Sequence, residues 1–288
     1  MKLTLFGIPS VYGGHVSGPE LTPSAIRKSG LVDKFLEKNI EVIDAGNVKL
    51  PDCMPRHISP PILNWPSPRM VWDATVNSLQ EIYQKDSFLF ILGGDCSIIV
   101  GTTSFLSNHY GEDLHVVLVD AHVDNFIPKH DMRVGAATMG MWLLSNENMF
   151  WEKPATVNYS SFSVIGCHDF SVLPVSLDGI QTVSLQELRE EGTKNCIQQF
   201  KATLPTNKKI FIHFDVDVIK ESEMPAAYFP SADGLTFQEC HMVLRELLND
   251  ERMIGIELTE FSPLKDPSGE LTERLANLLV DVISQRVV

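Results

Sequence analysis

The chain has 288 residues, 44% hydrophobic and 21% charged, with 37 acidic against 23 basic side chains and a formal charge of −14. That suits a globular protein long enough to bury a core without staples, and the acid excess argues against a nucleic-acid partner, which needs a basic face. Five cysteines with no CxxC pair exclude a disulfide framework and indicate a reducing compartment. The opening MKLTLFGIPS turns polar too soon for a signal peptide, and no apolar run nears the roughly 18 residues of a membrane helix, so a cytoplasmic protein off the membrane is expected.

In chain order, short continuous apolar runs read as strands covered on both faces: LTLFGI (3–8), IEVIDAG (40–46), FLFILGG (88–94), HVVLVDA (115–121), FSVIGC (162–167), IFIHFDVD (210–217) and MIGIELTE (253–260). Between them, residues 23–38, 68–85, 184–191 and 237–250 carry apolar positions three and four apart, the spacing of surface helices. The alternation predicts an α/β protein, a single domain over residues 1–288 with a central, mainly parallel sheet between two helical layers. The proline-rich stretch from Pro51 to Met70 reads as a long loop.

In such sheets the ligand crevice lies beyond the carboxyl ends of the strands. The third run ends in GGDCS, the fourth in DAHVD, the sixth in DVD and the seventh in ELTE, so the acids gather on one rim. Asp120, His122 and Asp124 are two residues apart, which in an extended segment puts all three on one face. Asp215 and Asp217 repeat the spacing at another strand end. Singly, such acids cap helices or face solvent; converging, they repel, and an unpaired charge out of water costs several kcal/mol. Divalent cations are the natural counterweight, and oxygen-rich sites with some imidazole suit Mn²⁺ and its neighbours.

GGDCS, DAHVD and FDVD, in this order and separation, resemble the metal-binding signatures of the ureohydrolases, which include arginase, agmatinase, guanidinobutyrase and formiminoglutamase. The likeness runs from GHVSGPELTPSAIRKSGL to GIELTEFSP, nearly the whole chain. It implies an arginase-like three-layer α/β/α fold with two divalent ions, Mn²⁺, between the strand ends, and a homo-oligomer, trimer or hexamer. By the same resemblance Asp120 and Asp215 bridge both metals, Asp124 and position 96 complete the first, and His122 and Asp217 the second. Asp124 then passes a proton to the leaving amine, Glu260 grips the guanidinium through parallel hydrogen bonds, and Asn125 and Asp169 contact the substrate.

The chain departs from that pattern in several places. Cys96 stands where the family has a histidine: either a small buried thiol with the metal there lost or loosely held, or a thiolate ligand. Two dications balance the four aspartates, so a thiolate leaves one negative charge in excess, which weakens the Lewis acidity of the ions but favours a cationic substrate. Met139 falls where arginases carry a proton-shuttling histidine, with His130 nearby in the loop; Ser171 replaces a second acid after Asp169; Lys220 replaces an acid after the DxD. The histidines at 15, 57, 109, 115, 168, 213 and 241 have no ligand spacing of their own and read as core or surface residues, with His168, at a strand end, the candidate among them to line the cleft. The resulting expectation is hydrolysis of a C–N bond in a linear guanidine or amidine, with urea released from an arginine-type or modified substrate such as N-hydroxyarginine. A formiminoglutamase-like hydrolase releasing formamide is the rival within the class, and a catalytically weak regulatory or structural subunit the rival outside it.

Overall fold

The computed structural model describes residues 1–286 apart from 59, 153–155, 169–176 and 178. Among the described residues eight strands, β1 Lys2–Gly7, β2 Glu41–Asn47, β3 Phe88–Leu92, β4 Leu114–Val119, β5 Phe162–Ile165, β6 Gln181–Val183, β7 Lys209–Asp215 and β8 Met253–Thr259, form one sheet in the order β2-β1-β3-β8-β7-β4-β5-β6. Every pairing is parallel. Helices α1 Thr22–Lys28, α2 Leu31–Glu37, α3 Ser67–Ile82, α4 Ile98–Tyr110, α5 Gly140–Ser145, α6 Leu185–Glu191, α7 Thr193–Thr203, α8 Phe237–Leu248 and α9 Glu270–Ser284 connect them.

Why the runs were continuous rather than alternating is visible in the burial. Every residue of β3 and β4 is buried, because helices cover both faces of the sheet. Leu5, Phe90, Val117, Ile212 and Ile256 belong to one hydrophobic cluster. Their strand neighbours Phe6, Ile91, Val116 and Phe211 belong to another. Alternate side chains thus feed two cores, one per face, and the architecture is the three-layer α/β/α expected.

All seven expected strands are present. The eighth, β6, is a three-residue strand at the sheet edge, too short to stand out as a run. The helix expected over 23–38 is divided at Gly30, whose φ of 77° takes the left-handed conformation that ends a helix cheaply in glycine. Helices α4, α5, α7 and α9 were not anticipated. For α4 the reason is physical: Ile98 through Ser107 are all buried, so there is no polar face to impose a period. Two helices start on full capping boxes, Ser184 with Glu187 for α6 and Thr236 with Glu239 for α8.

The topology matters most at the centre. β3, β8, β7 and β4 are consecutive neighbours, and they are the four strands that end in GGDCS, ELTE, DVD and DAHVD. The turn after β3 also packs hard against the loop after β1. A Cβ on Gly94 would lie 1.9 Å from the Ser10 carbonyl oxygen, while the Asp95 amide donates to that oxygen at 3.0 Å. Gly94→Ala is expected to lower unfolding stability by about 1–3 kcal/mol, as forced overpacking does. Urea denaturation measures it, and an unchanged midpoint would mean that the two loops part freely.

Candidate metal centre

Parallel strands with matched registers bring their ends to one level. His213 lies opposite Glu257 and Asp215 opposite Thr259 across β7 and β8; Leu92 of β3 lies opposite Leu258 on the other side. The loops leaving these strands therefore converge. Asp95 does not enter the resulting site but braces it. Fully buried, it accepts hydrogen bonds from Ser10 Oγ at 3.0 Å, the Gly13 amide at 3.1 Å and the Ser97 amide at 3.0 Å.

A cavity of about 320 Å³ opens above the strand ends. Cys96, His122, Asp124, Asp215, Asp217 and Glu260 line its polar floor, and Val123, Phe126, Met132, Val134 and Phe229 much of its wall. Three sets of side chains bring donor atoms within 4.8 Å of one another: Asp120 with His122 and Asp217, Cys96 with Asp215 and Glu260, and Cys96 with Asp120 and His213. His122 Nδ1 is 3.0 Å from Asp217 Oδ2, the Asp217 amide donates to Asp215 Oδ1 at 2.8 Å, and Cys96 Sγ donates to Asp215 Oδ2 at 2.6 Å. Glu260 Oε1 takes the Cys96 amide at 2.7 Å. Asp124 and Glu260 both have positive φ, 50° and 61°, a strain that non-glycine residues accept where the surroundings fix them.

The donor set fits a pair of divalent ions. Asp120 Oδ2 and Glu260 Oε2 are buried with no hydrogen-bond partner among the described residues, although buried carboxylate oxygens are ordinarily satisfied. Burial raises the carboxyls of Asp215, Asp124 and Glu260 well above the usual range, and neighbouring acids push further: Asp217 on Asp215, Asp120 on Asp124, Asp95 on Glu260. Asp217 is raised by burial and by Asp120, and the Cys96 thiol by burial and by Asp215. For His122 burial acts downward, but hydrogen bonds with Asp120 and Asp217 prevail and raise it. Alone, this cage holds protons; cations can replace them.

Of the residues expected at the metals, Asp124 lies on the cavity floor but outside the three tight groupings. Asn125, expected at the substrate, is buried and accepts from Tyr159 Oη at 3.2 Å, and it does not line the cavity. Asp169 and Ser171 lie outside the described residues. Met139 is fully buried in a hydrophobic cluster, and His130 is exposed away from the cavity. His168 faces the Ser231 hydroxyl at 3.1 Å and the Asp233 carbonyl oxygen at 2.9 Å instead of the cleft. His15 does line the cavity, its amide donating to Tyr228 Oη.

His213 and Glu257 lie beside this cluster and were not among the expected site residues. For His213 a signal was present: with Asp215 and Asp217 it has the same two-residue spacing as Asp120, His122 and Asp124. Glu257 could be identified only once the β7–β8 register was known.

Each raised acid has a folded value above its unfolded one of about 4, so its contribution to stability is complete below that pH and is lost as pH climbs through the folded value. His122, also raised, acts in the same sense above its own unfolded value. In chelator, the melting temperature should therefore fall as pH rises from about 5 to 8, and added divalent metal should suppress the fall. A flat profile in chelator would contradict this packing of the carboxyls.

A model of the arginase family matches residues 1–284. An arginase of Staphylococcus aureus is 25% identical over 288 residues, spanning 96% of this chain and 95% of that one. Among solved structures, the arginase of Bacillus subtilis aligns with a TM-score of 0.85 at 19% identity, over 100% of both chains. Formimidoylglutamase from Bacillus subtilis aligns with a TM-score of 0.76 at 19% identity, over 100% of this chain and 88% of that one. At such identities the structural likeness speaks to fold alone. Among the described residues no helix is long and apolar enough to cross a membrane.

Proposed function

The chain belongs to the arginase family, hydrolases acting on C–N bonds of linear amidines, and from that premise we propose that it cleaves a guanidino compound with release of urea at a centre of two divalent ions, Mn²⁺, as a cytoplasmic homo-oligomer. The observation that carries the reading is the convergence on one cavity floor of acids from the ends of β4, β7 and β8, joined by Cys96 from β3, with Asp120 Oδ2 and Glu260 Oε2 buried and without a hydrogen-bond partner among the described residues.

Asp120, Asp215, Asp124, Asp217, His122 and Cys96 would hold the ions, which when bound supply Lewis-acid activation of water and stabilise developing charge. Glu260 would meet the guanidinium: its Oε2 has no hydrogen-bond partner among the described residues, and a carboxylate accepts such a fork through short, charge-assisted bonds. Asp124 lines the cavity floor and would hand a proton to the departing amine. Val123, Phe126 and Phe229 exclude water and suit an aliphatic substrate stem. Arg133, at the cavity wall, is placed to meet an acidic group at the far end of the substrate.

The rival within the family is a formimino substrate, from which formamide is released. The position that carries a shuttle histidine in arginases is Met139, buried in the core, so recognition of an L-arginine head group does not follow from the family pattern here. A screen of guanidino and formimino compounds with added Mn²⁺, reading urea and formamide separately, distinguishes the two. Bound metal with neither product from any compound would favour the regulatory or structural subunit. With the active substrate, Glu260→Gln is expected to lower kcat/KM by about 10–100-fold while leaving metal content unchanged, the loss of a hydrogen bond to a charged group. Metal loss on that substitution would make Glu260 a ligand and remove it from substrate recognition.

A further inference from the structure

Set against the family pattern, the site is one imidazole short at position 96, and another imidazole, that of His213, lies beside it. Cys96 lies at the start of the turn after β3 and His213 near the end of β7, on either side of β8. His213 is fully buried, and its Nε2 lies 3.3 Å from Cys96 Sγ. With Asp120 the two offer donor atoms within 4.8 Å of each other. On its far side His213 Nδ1 is 2.7 Å from Glu257 Oε1, a fully buried carboxyl directly opposite it in the sheet register.

We propose that His213 supplies the imidazole missing from position 96, binding the first divalent ion through Nε2 beside the Cys96 thiolate, with Glu257 as the positioning residue that fixes the ring. This rests on the two-metal reading above and assigns its ligands. A carboxylate accepts, so Glu257 holds the hydrogen on Nδ1 and leaves Nε2 to face the cage. A metal-bound histidine almost always donates its other ring N–H to such a partner, which fixes tautomer and orientation. Thr259 closes the arrangement, its Oγ1 3.3 Å from Cys96 Sγ and 3.4 Å from His213 Nε2. When the ion enters, the Cys96 thiol proton leaves to solvent and sulfur becomes the ligand.

The two positions then differ in kind. Asp120, His122 and Asp217 form an oxygen-rich site that suits Mn²⁺, whereas Cys96 with His213 adds a sulfur and a nitrogen and favours a softer ion such as Co²⁺ or Zn²⁺. The same three residues also resemble a thiol nucleophile with its base and orienting acid. Against that role, Cys96 Sγ sits on the floor against Asp215 and beside Glu260, where a free thiolate is opposed by adjacent carboxyls.

The test uses the full chain, stripped with chelator, reloaded with Co²⁺ and desalted, with metal content and absorption spectrum read together. Wild type is expected to hold about two cobalt ions per chain and to show a thiolate-to-cobalt charge-transfer band that Cys96→Ser abolishes. His213→Asn retains a donor near Glu257 but has nothing at the Nε2 position; it should hold about one ion per chain. Glu257→Gln should weaken the first ion about 10–100-fold. Cys96→His with His213→Ser, which moves the imidazole to the family position, should restore two ions without the band. Melting curves in chelator confirm that each variant is folded. Two tightly held ions and an unaltered spectrum in His213→Asn would overturn the assignment while leaving the two-metal centre intact, whereas no bound metal in wild type would remove the centre itself. A covalent adduct on Cys96, seen by intact mass with an active guanidino substrate, would also overturn it.

Discussion

Like charges forced together at the ends of neighbouring strands are the constraint around which the molecule is organised. β3, β8, β7 and β4 are buried on both faces, so side chains at their carboxyl ends cannot swing into water without unpacking a helical layer. Asp120, Asp215 and Asp217 are nevertheless at most 2% exposed, and Glu260 5%. Burying a carboxylate is tolerable only with a counter-charge or a proton. The fold invests in holding the cluster: Asp95 ties the first loop to the turn after β3, and positive φ at Asp124 and Glu260 aims both carboxyls at the cavity. A structure that strains its backbone to gather buried acids holds protons that divalent cations can displace.

What could be read from the residues follows the same physics. Apolar runs such as FLFIL and HVVLV had to be central strands because nothing shorter than a covered parallel sheet hides them, and once the sheet was parallel the acids had to share a rim. Features set by tertiary context were harder to read. Helix α4 has no solvent face and hence no period; β6 gains its identity only from β5 beside it. The cavity side of Met139 was unreadable for the same reason: only the packed structure reveals that its side chain goes into the core.

His213, read from the residues as a core or surface histidine, is fully buried, and the two-residue spacing of Asp120, His122 and Asp124 applies equally to His213, Asp215 and Asp217. That spacing is local, but the approach of its ring to the Cys96 sulfur, 3.3 Å, comes from the sheet order. Glu257 reads as one more strand residue until the register sets it against the imidazole.

The sheet order also explains how a ligand can change its position in the chain without the site changing shape. β3 and β7 are separated in sequence by more than a hundred residues but in space only by β8, so the ends of both strands reach over Thr259 toward the same place. Under the proposed assignment an imidazole from either strand would meet the same ion. Which one is used then depends on where a second carboxyl is available to orient the ring. In this chain Glu257 stands on β8 opposite position 213, and the oxygen of Glu260 nearest position 96 is already engaged with the Cys96 backbone. Under the proposed assignment the local partners favour the β7 imidazole and leave position 96 to a smaller, softer donor, whose sulfur bonds Asp215.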